Sequence, residues 1–164
     1  MKPSHQELLR QWVGDALAAE VTRLQVLEDH VQRAAELEDL RRRLDGHLNA
    51  TRRHIDLLRD WGDRLGGVAW AGLPPTPRRE SDRDDTLLQA LIADYAAESR
   101  GVLQYTALIE LALRAGAAEI IPGLEEILEE EEEMAAWIED YLPNLVEWCA
   151  AREPQPRGRS AMDQ

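Results

Sequence analysis

Residues 123–142 read GLEEILEEEEEMAAWIEDYL, with seven glutamates between Glu125 and Glu133. An α-helix turns once in about 3.6 residues, so such a run sweeps all round its axis and cannot face water throughout. The apolar stripe, spaced three and four residues apart, decides which acid points inward. It reads Leu124, Leu128, Glu131, Ala135, Ile138, Leu142 and Leu145. Glu131 falls on the buried stripe, and Glu129, Glu130, Glu132 and Glu133 rotate toward the flanks or water.

The same ruler applies to three other segments. The first stripe reads Val13, Leu17, Glu20, Leu24, Leu27, Val31, with one acid at Glu20. Another reads Leu88, Leu91, Tyr95, Glu98, Val102, Tyr105, Ile109, Ala112, with one acid at Glu98. The remaining stripe, Leu37, Leu40, Leu44, His47, Thr51, His54, Leu58, carries two histidines. Measured from turns near Ala35 and Gly116, these breaks lie at similar distances along their helices. At ~1.5 Å per residue the mismatches are under one helical turn, so the polar breaks share one level.

A lone polar residue on an apolar seam is usually a register device. Several at one height ask for more. A buried carboxylate without a partner is costly or shifts its pKa upward, and a cluster of them repels itself. A cation, shared protons or water relieves that. Bundle cores commonly use metal, with a glutamate from each of two helices and Glu-x-x-His from each of the others. Here the corresponding slots read Thr51-Arg-Arg-His54 and Glu131-Glu-Glu-Met134, so each lacks one expected ligand.

The periodicity predicts an all-α chain in a single domain over residues 1–151. Helices are expected at about 5–33, 37–65, 86–115 and 119–142. Ser4 and Glu7 have capping-box spacing at the first helix start. Only a short link separates helices one and two, which predicts an antiparallel hairpin. Residues 66–85 are rich in glycine, proline and charge, and Pro74, Pro75 and Pro77 exclude helix there. A crossover along the bundle accounts for a loop of that length. Gly116 closes the third helix. Pro143 is expected to interrupt the fourth, with a short helix following at 143–151. The tail, 152–164, is polar and proline-rich and is expected to be disordered. Hairpin, long crossover and second hairpin make the ferritin-like arrangement of a four-helix bundle.

The chain has 164 residues, a net charge of −13 and a pI near 4.7. Nucleic-acid binding needs a positive footprint, and anionic membranes also disfavour such a chain. No apolar stretch approaches the ~18 residues of a membrane span, and the N-terminus lacks a signal-peptide core. The single cysteine, Cys149, allows no internal disulfide, which fits a reducing cytoplasm. Phosphate-loop, nucleophile-elbow and zinc-protease motifs are absent from the sequence. His5 and His30 are placed near helix ends or surfaces. Trp70 and Leu73 mark the crossover as a candidate partner surface or a cap on the bundle end.

The segments DALAAEVTRL, LRRRLDGHLNATRRHI, LQYTALIELALRAG and IPGLEEILEEEEEMAAWIEDYLP resemble the YciE/YciF-type ferritin-like proteins of bacteria. The likeness spans residues 8 to 150 and is nearest the YciE branch. It implies a ferritin-like bundle, often dimeric, in cytoplasmic stress-associated proteins, with a carboxylate-rich centre for one or two metal ions. Glu20, Glu98 and Glu131 stand where that family has acids, and His47 matches a common histidine. Ala50, Gly101 and Ala136 stand where it offers further acids.

Two readings of the centre follow. In the favoured one the centre is degenerate and metal-free, in a structural or binding protein that is not an enzyme. Glu20, Glu98 and Glu131 are then held by protonation, by Tyr95 or Tyr105 hydroxyls, by His54 and by water. In the other, Glu20, Glu98, Glu131 and His47 or His54 hold one iron, manganese or zinc ion, with oxidoreductase or iron-handling activity. A homodimer is expected, with Trp12, Trp61, Trp137 and Trp148 leaving apolar surface to cover.

Overall fold

A computed structural model describes residues 3–67 and 85–152. Four helices form an all-α bundle: α1 (His5–Arg33), α2 (Glu38–Arg64), α3 (Asp85–Ala115) and α4 (Ile121–Arg152), with a 3₁₀ turn at Ala118–Ile120. The expected crossover and its Trp70 and Leu73, like the expected disordered tail, lie outside the described residues apart from the ends.

Each helix starts and stops where local chemistry directs. The Ser4 hydroxyl accepts from the Glu7 backbone N–H at 3.2 Å, and the Glu7 carboxylate accepts from the Ser4 N–H at 2.7 Å. That reciprocal pair satisfies donors that no helical carbonyl reaches. At the end of α3, Gly116 takes φ +73°, and the Ala117 N–H reaches back to the Ala112 carbonyl at 3.0 Å. A left-handed residue there reverses the chain, and glycine adopts it without a Cβ penalty.

The helices pack as two hairpins, α1 with α2 and α3 with α4. His30 of α1 meets Asp94 of α3, whereas earlier α1 residues share a cluster with later α3 residues, so these two run antiparallel. Trp61, near the end of α2, packs on Gly123 at the start of α4. Leu87, at the start of α3, clusters with Leu27 and Leu40 at the other end. The end of α2 and the start of α3 therefore stand at opposite ends of the bundle, as a crossover connection requires.

Pro143 does not interrupt α4, contrary to the sequence expectation of a break and a separate helix at 143–151. Pro143 lies on the exposed side, as does Glu139, whose carbonyl loses its usual donor. Water can serve that carbonyl, while Ile138 and Leu145 hold the helix to the core on both sides of the proline.

The apolar core is split. One cluster gathers around Leu9, Val13, Leu58, Leu108 and Leu124, the other around Leu27, Leu40, Leu44, Leu91 and Ile138. A polar layer lies between them. The deepest stripe of α4 is Leu124, Ile127, Glu131, Met134, Ile138 and Leu145, with Leu128 and Ala135 only half-buried. A bundle helix buries a face wider than the narrow seam used to read the sequence.

Candidate carboxylate centre

The polar layer brings together all the acids and histidines expected there. Glu20, Glu98 and Glu131 are each no more than 1 % exposed, Thr51 and His54 are equally deep, and His47 is buried beside them. His47 Nε2 lies 3.1 Å from Glu98 Oε1. His54 Nδ1 lies 3.6 Å from Glu20 Oε2 and 3.8 Å from Glu131 Oε1. Its Nε2 is 2.6 Å from Glu130, which is half-buried rather than turned away.

One residue of the centre was not singled out in the sequence. Arg23 follows Glu20 by three positions on α1, and its guanidinium lies inside the layer. Its Nη1 stands 2.5 Å from Glu131 Oε2, 3.5 Å from Glu20 Oε1 and 3.6 Å from Glu98 Oε2. Its Nη2 donates to the Ala97 carbonyl at 3.0 Å. Arg23 is thus an internal cation against every buried glutamate of the layer. The available signal was an arginine one turn from a seam acid that had no other counter-charge.

Gly101 makes room for this arrangement. A Cβ built there would stand 2.0 Å from Glu131 Oε2 and 3.2 Å from Arg23 Nη2. No side chain fits unless the ion pair moves. The space that a further acid on α3 would need is filled by Glu131 and Arg23. Ala136 is exposed, so an acid at that position would not reach the layer. Ala50 is buried at the groove between α2 and α4, beside His47.

Tyr105 donates to Glu20 Oε1 at 2.6 Å, in the role expected for a tyrosine hydroxyl. Tyr95 does not join the centre and donates instead to Glu139 on the exposed side. His30, expected near a helix end or surface, lies in the last turn of α1 and is buried, paired with Asp94 at 2.8 Å.

The electrostatics follow from crowding. Burial, reinforced by Glu98 and Glu20, outweighs Arg23 and raises the Glu131 pKa to about 8. Burial also works against Glu20, but His54, Arg23 and the Tyr105 hydroxyl prevail and hold its pKa below the ordinary value. Burial works against the His54 cation, yet contact with Glu20 and Glu130 raises its pKa. Burial and Glu20 push the Tyr105 phenol well above its ordinary range. Charged Arg23 and His54 thus favour the carboxylate form of Glu20, while the raised pKa of Glu131 favours its protonated form near neutral pH.

Two groups of donor atoms could in principle hold a cation: Glu20, His54 and Glu131, and His47, Glu98 and Glu131. The full two-metal set does not fit. Both groups share Glu131, whose Oε2 is committed to Arg23, and Gly101 and Ala50 supply no ligand. Glu20 Oε2, His54 Nδ1 and Glu131 Oε1 are buried, lack hydrogen-bond partners and face one another.

Comparison with known proteins places the chain in a family. The sequence profile of DUF892, described as a domain of unknown function, matches residues 4–71 and 78–151. The chain belongs to the DUF892 family. A crystal structure of a Xanthomonas campestris pv. campestris protein is similar to this DUF892 chain. The TM-score is 0.78 at 25% sequence identity, covering 90% of this chain and 97% of that one. Among the described residues of this DUF892 protein, no helix is long and apolar enough to cross a membrane.

Proposed function

We propose that this DUF892 protein is a ferritin-like structural or binding protein whose centre is compensated by a guanidinium rather than by metal. The observation that carries the reading is Arg23 Nη1, within 2.5–3.6 Å of all three buried glutamates. A delocalised cation with fixed donors supplies, from within the chain, the charge that an ion would bring. The centre then holds the bundle register and supports no redox turnover. The YciE/YciF resemblance adds a stress-associated role and a cytoplasmic location. The exposed Ile92, Leu103 and Leu113 of α3 support a homodimer better than the tryptophans do, since Trp61 is buried and Trp12, Trp137 and Trp148 pack against the core. Sedimentation with only an 18.6 kDa species would remove the dimer.

The test of the main reading is iron(II) oxidation in air. The protein is expected to leave the rate at the buffer value. Acceleration that disappears in Glu20→Ala would overturn the reading in favour of a reduced metal centre. The unpartnered atoms of Glu20, His54 and Glu131 favour that second reading, with one iron, manganese or zinc ion held by those residues. The ion would supply a Lewis acid or a redox couple, with Arg23 fixing the shared Glu131.

A further inference from the structure

The bundle is closed unevenly. α1 and α3 pack closely, whereas α2 and α4 scarcely meet. The gap between α2 and α4 forms a groove open to solvent, and its larger part has a volume of about 660 Å³. Sites for small organic ligands run from roughly 300 to 1,000 Å³, with an apolar wall and a few polar groups. Small residues on α2 open this one: Gly46, where an added Cβ would touch nothing within 4 Å, and Ala50. His47 lines its inner side while its Nε2 is turned to Glu98.

The groove is lined by three arginines and three carboxylates, and two of the six, Arg43 and Glu133, stand outside the ion pairs of the described residues. Arg42 pairs with Asp39 at 3.0 Å and Arg53 with Glu130 at 2.7 Å. Arg43 has no carboxylate partner among the described residues, and its Nε is buried without an acceptor. Glu133 is exposed and solvated at the rim. Arg43 is therefore the lining cation without a carboxylate, and with Glu133 hydrated at the rim an incoming carboxylate has a guanidinium to pair with. The Arg43 guanidinium carbon lies 5.8 Å from the centroid of Trp137, and Tyr141 stacks on Trp137 at 4.7 Å with an interplanar angle of 12°. A planar fork beside an aromatic stack suits a planar anion carrying its own ring.

We propose that the groove between α2 and α4 binds an aromatic monocarboxylate, with its carboxylate on the Arg43 guanidinium and its ring against the Trp137–Tyr141 stack. The proposal rests on the binding reading above and gives it a ligand class.

The test titrates 2-naphthoate into the full-length, chelator-treated protein, followed by calorimetry and by the amide resonances of Gly46 and Ala50. Saturable binding is expected, about tenfold or more tighter than for neutral 2-naphthamide. Arg43→Gln and Trp137→Leu should each weaken it about tenfold, with helicity retained by circular dichroism. Arg59→Gln, outside the groove, should leave it unchanged. Absence of saturable binding, equal binding of the amide, or binding that survives Arg43→Gln would overturn the proposal. Failure of that kind without metal uptake removes the ligand and leaves the metal-free centre standing. Binding that appears only after zinc loading, and is lost in Glu20→Ala, puts the carboxylate on an ion and overturns both.

Discussion

A Cβ on Gly101 would stand 2.0 Å from Glu131 Oε2, so the absence of a side chain on α3 and the ion pair between α4 and α1 are one feature. Glycine within a helix ordinarily costs about 1 kcal/mol relative to alanine. Gly101→Ala should reverse that sign, because Glu131 Oε2 would have to leave its contact with Arg23, and destabilise by about 1–3 kcal/mol. Gly46 supplies the contrast, since a Cβ there meets nothing within 4 Å. Gly46→Ala should stabilise by up to about 1 kcal/mol. Urea denaturation of both variants checks the pair. Stabilisation by both would mean that the packing at Gly101 is not tight.

Arg23→Met should be among the most damaging substitutions in the chain. It leaves Glu20, Glu98 and Glu131 buried without their shared cation. Removing one partner of a buried pair typically costs about 3–5 kcal/mol, mostly through the stranded charge. Adding Glu131→Gln to Arg23→Met should recover part of that loss, because the two residues act as a unit. Additive losses in a double-mutant cycle would contradict the coupling.

Stability should fall as pH rises toward about 8, and the sign comes from individual groups. The Glu131 pKa is raised to about 8, so its contribution is full below its ordinary value and is lost as pH rises through about 8. His54 is also raised, so its contribution is lost as pH rises through its folded value. Glu20 is lowered and acts oppositely, losing its contribution as pH falls through its folded pKa. The melting temperature should therefore decline as pH rises from about 5 and level off above about 8. Glu131→Gln should flatten that decline by keeping a neutral group beside Arg23. An unchanged slope in the variant would show that Glu131 does not titrate there.

Much of this was legible in the sequence, and the exceptions have physical causes. The stripes of α1 to α4 revealed the bundle because a buried face imposes its period on the residues. Glu20, Glu98 and Glu131 appeared as breaks because ionisable groups are rarely buried alone. Arg23 was hidden because it sits on the edge of its stripe and reaches the layer through a long side chain, which position along the helix does not reveal. His30 lies in the last turn of α1 as expected, but its burial was hidden for a related reason: its partner, Asp94, lies on another helix. Pro143 was read as a break from a local rule that solvent exposure relaxes. Glu130 was assigned to the flank by rotation alone, yet its carboxylate bends back to His54.

The measurement that bears most directly on the central claim is metal content by elemental analysis. It should use protein purified without an affinity tag, before and after loading with iron(II), manganese or zinc. The natural protein should retain no ion and keep its melting temperature on loading, because Arg23 already occupies the charge site. About one tightly held ion per chain, lost in Glu20→Ala or Glu98→Ala, would contradict this and make the centre a working metal site.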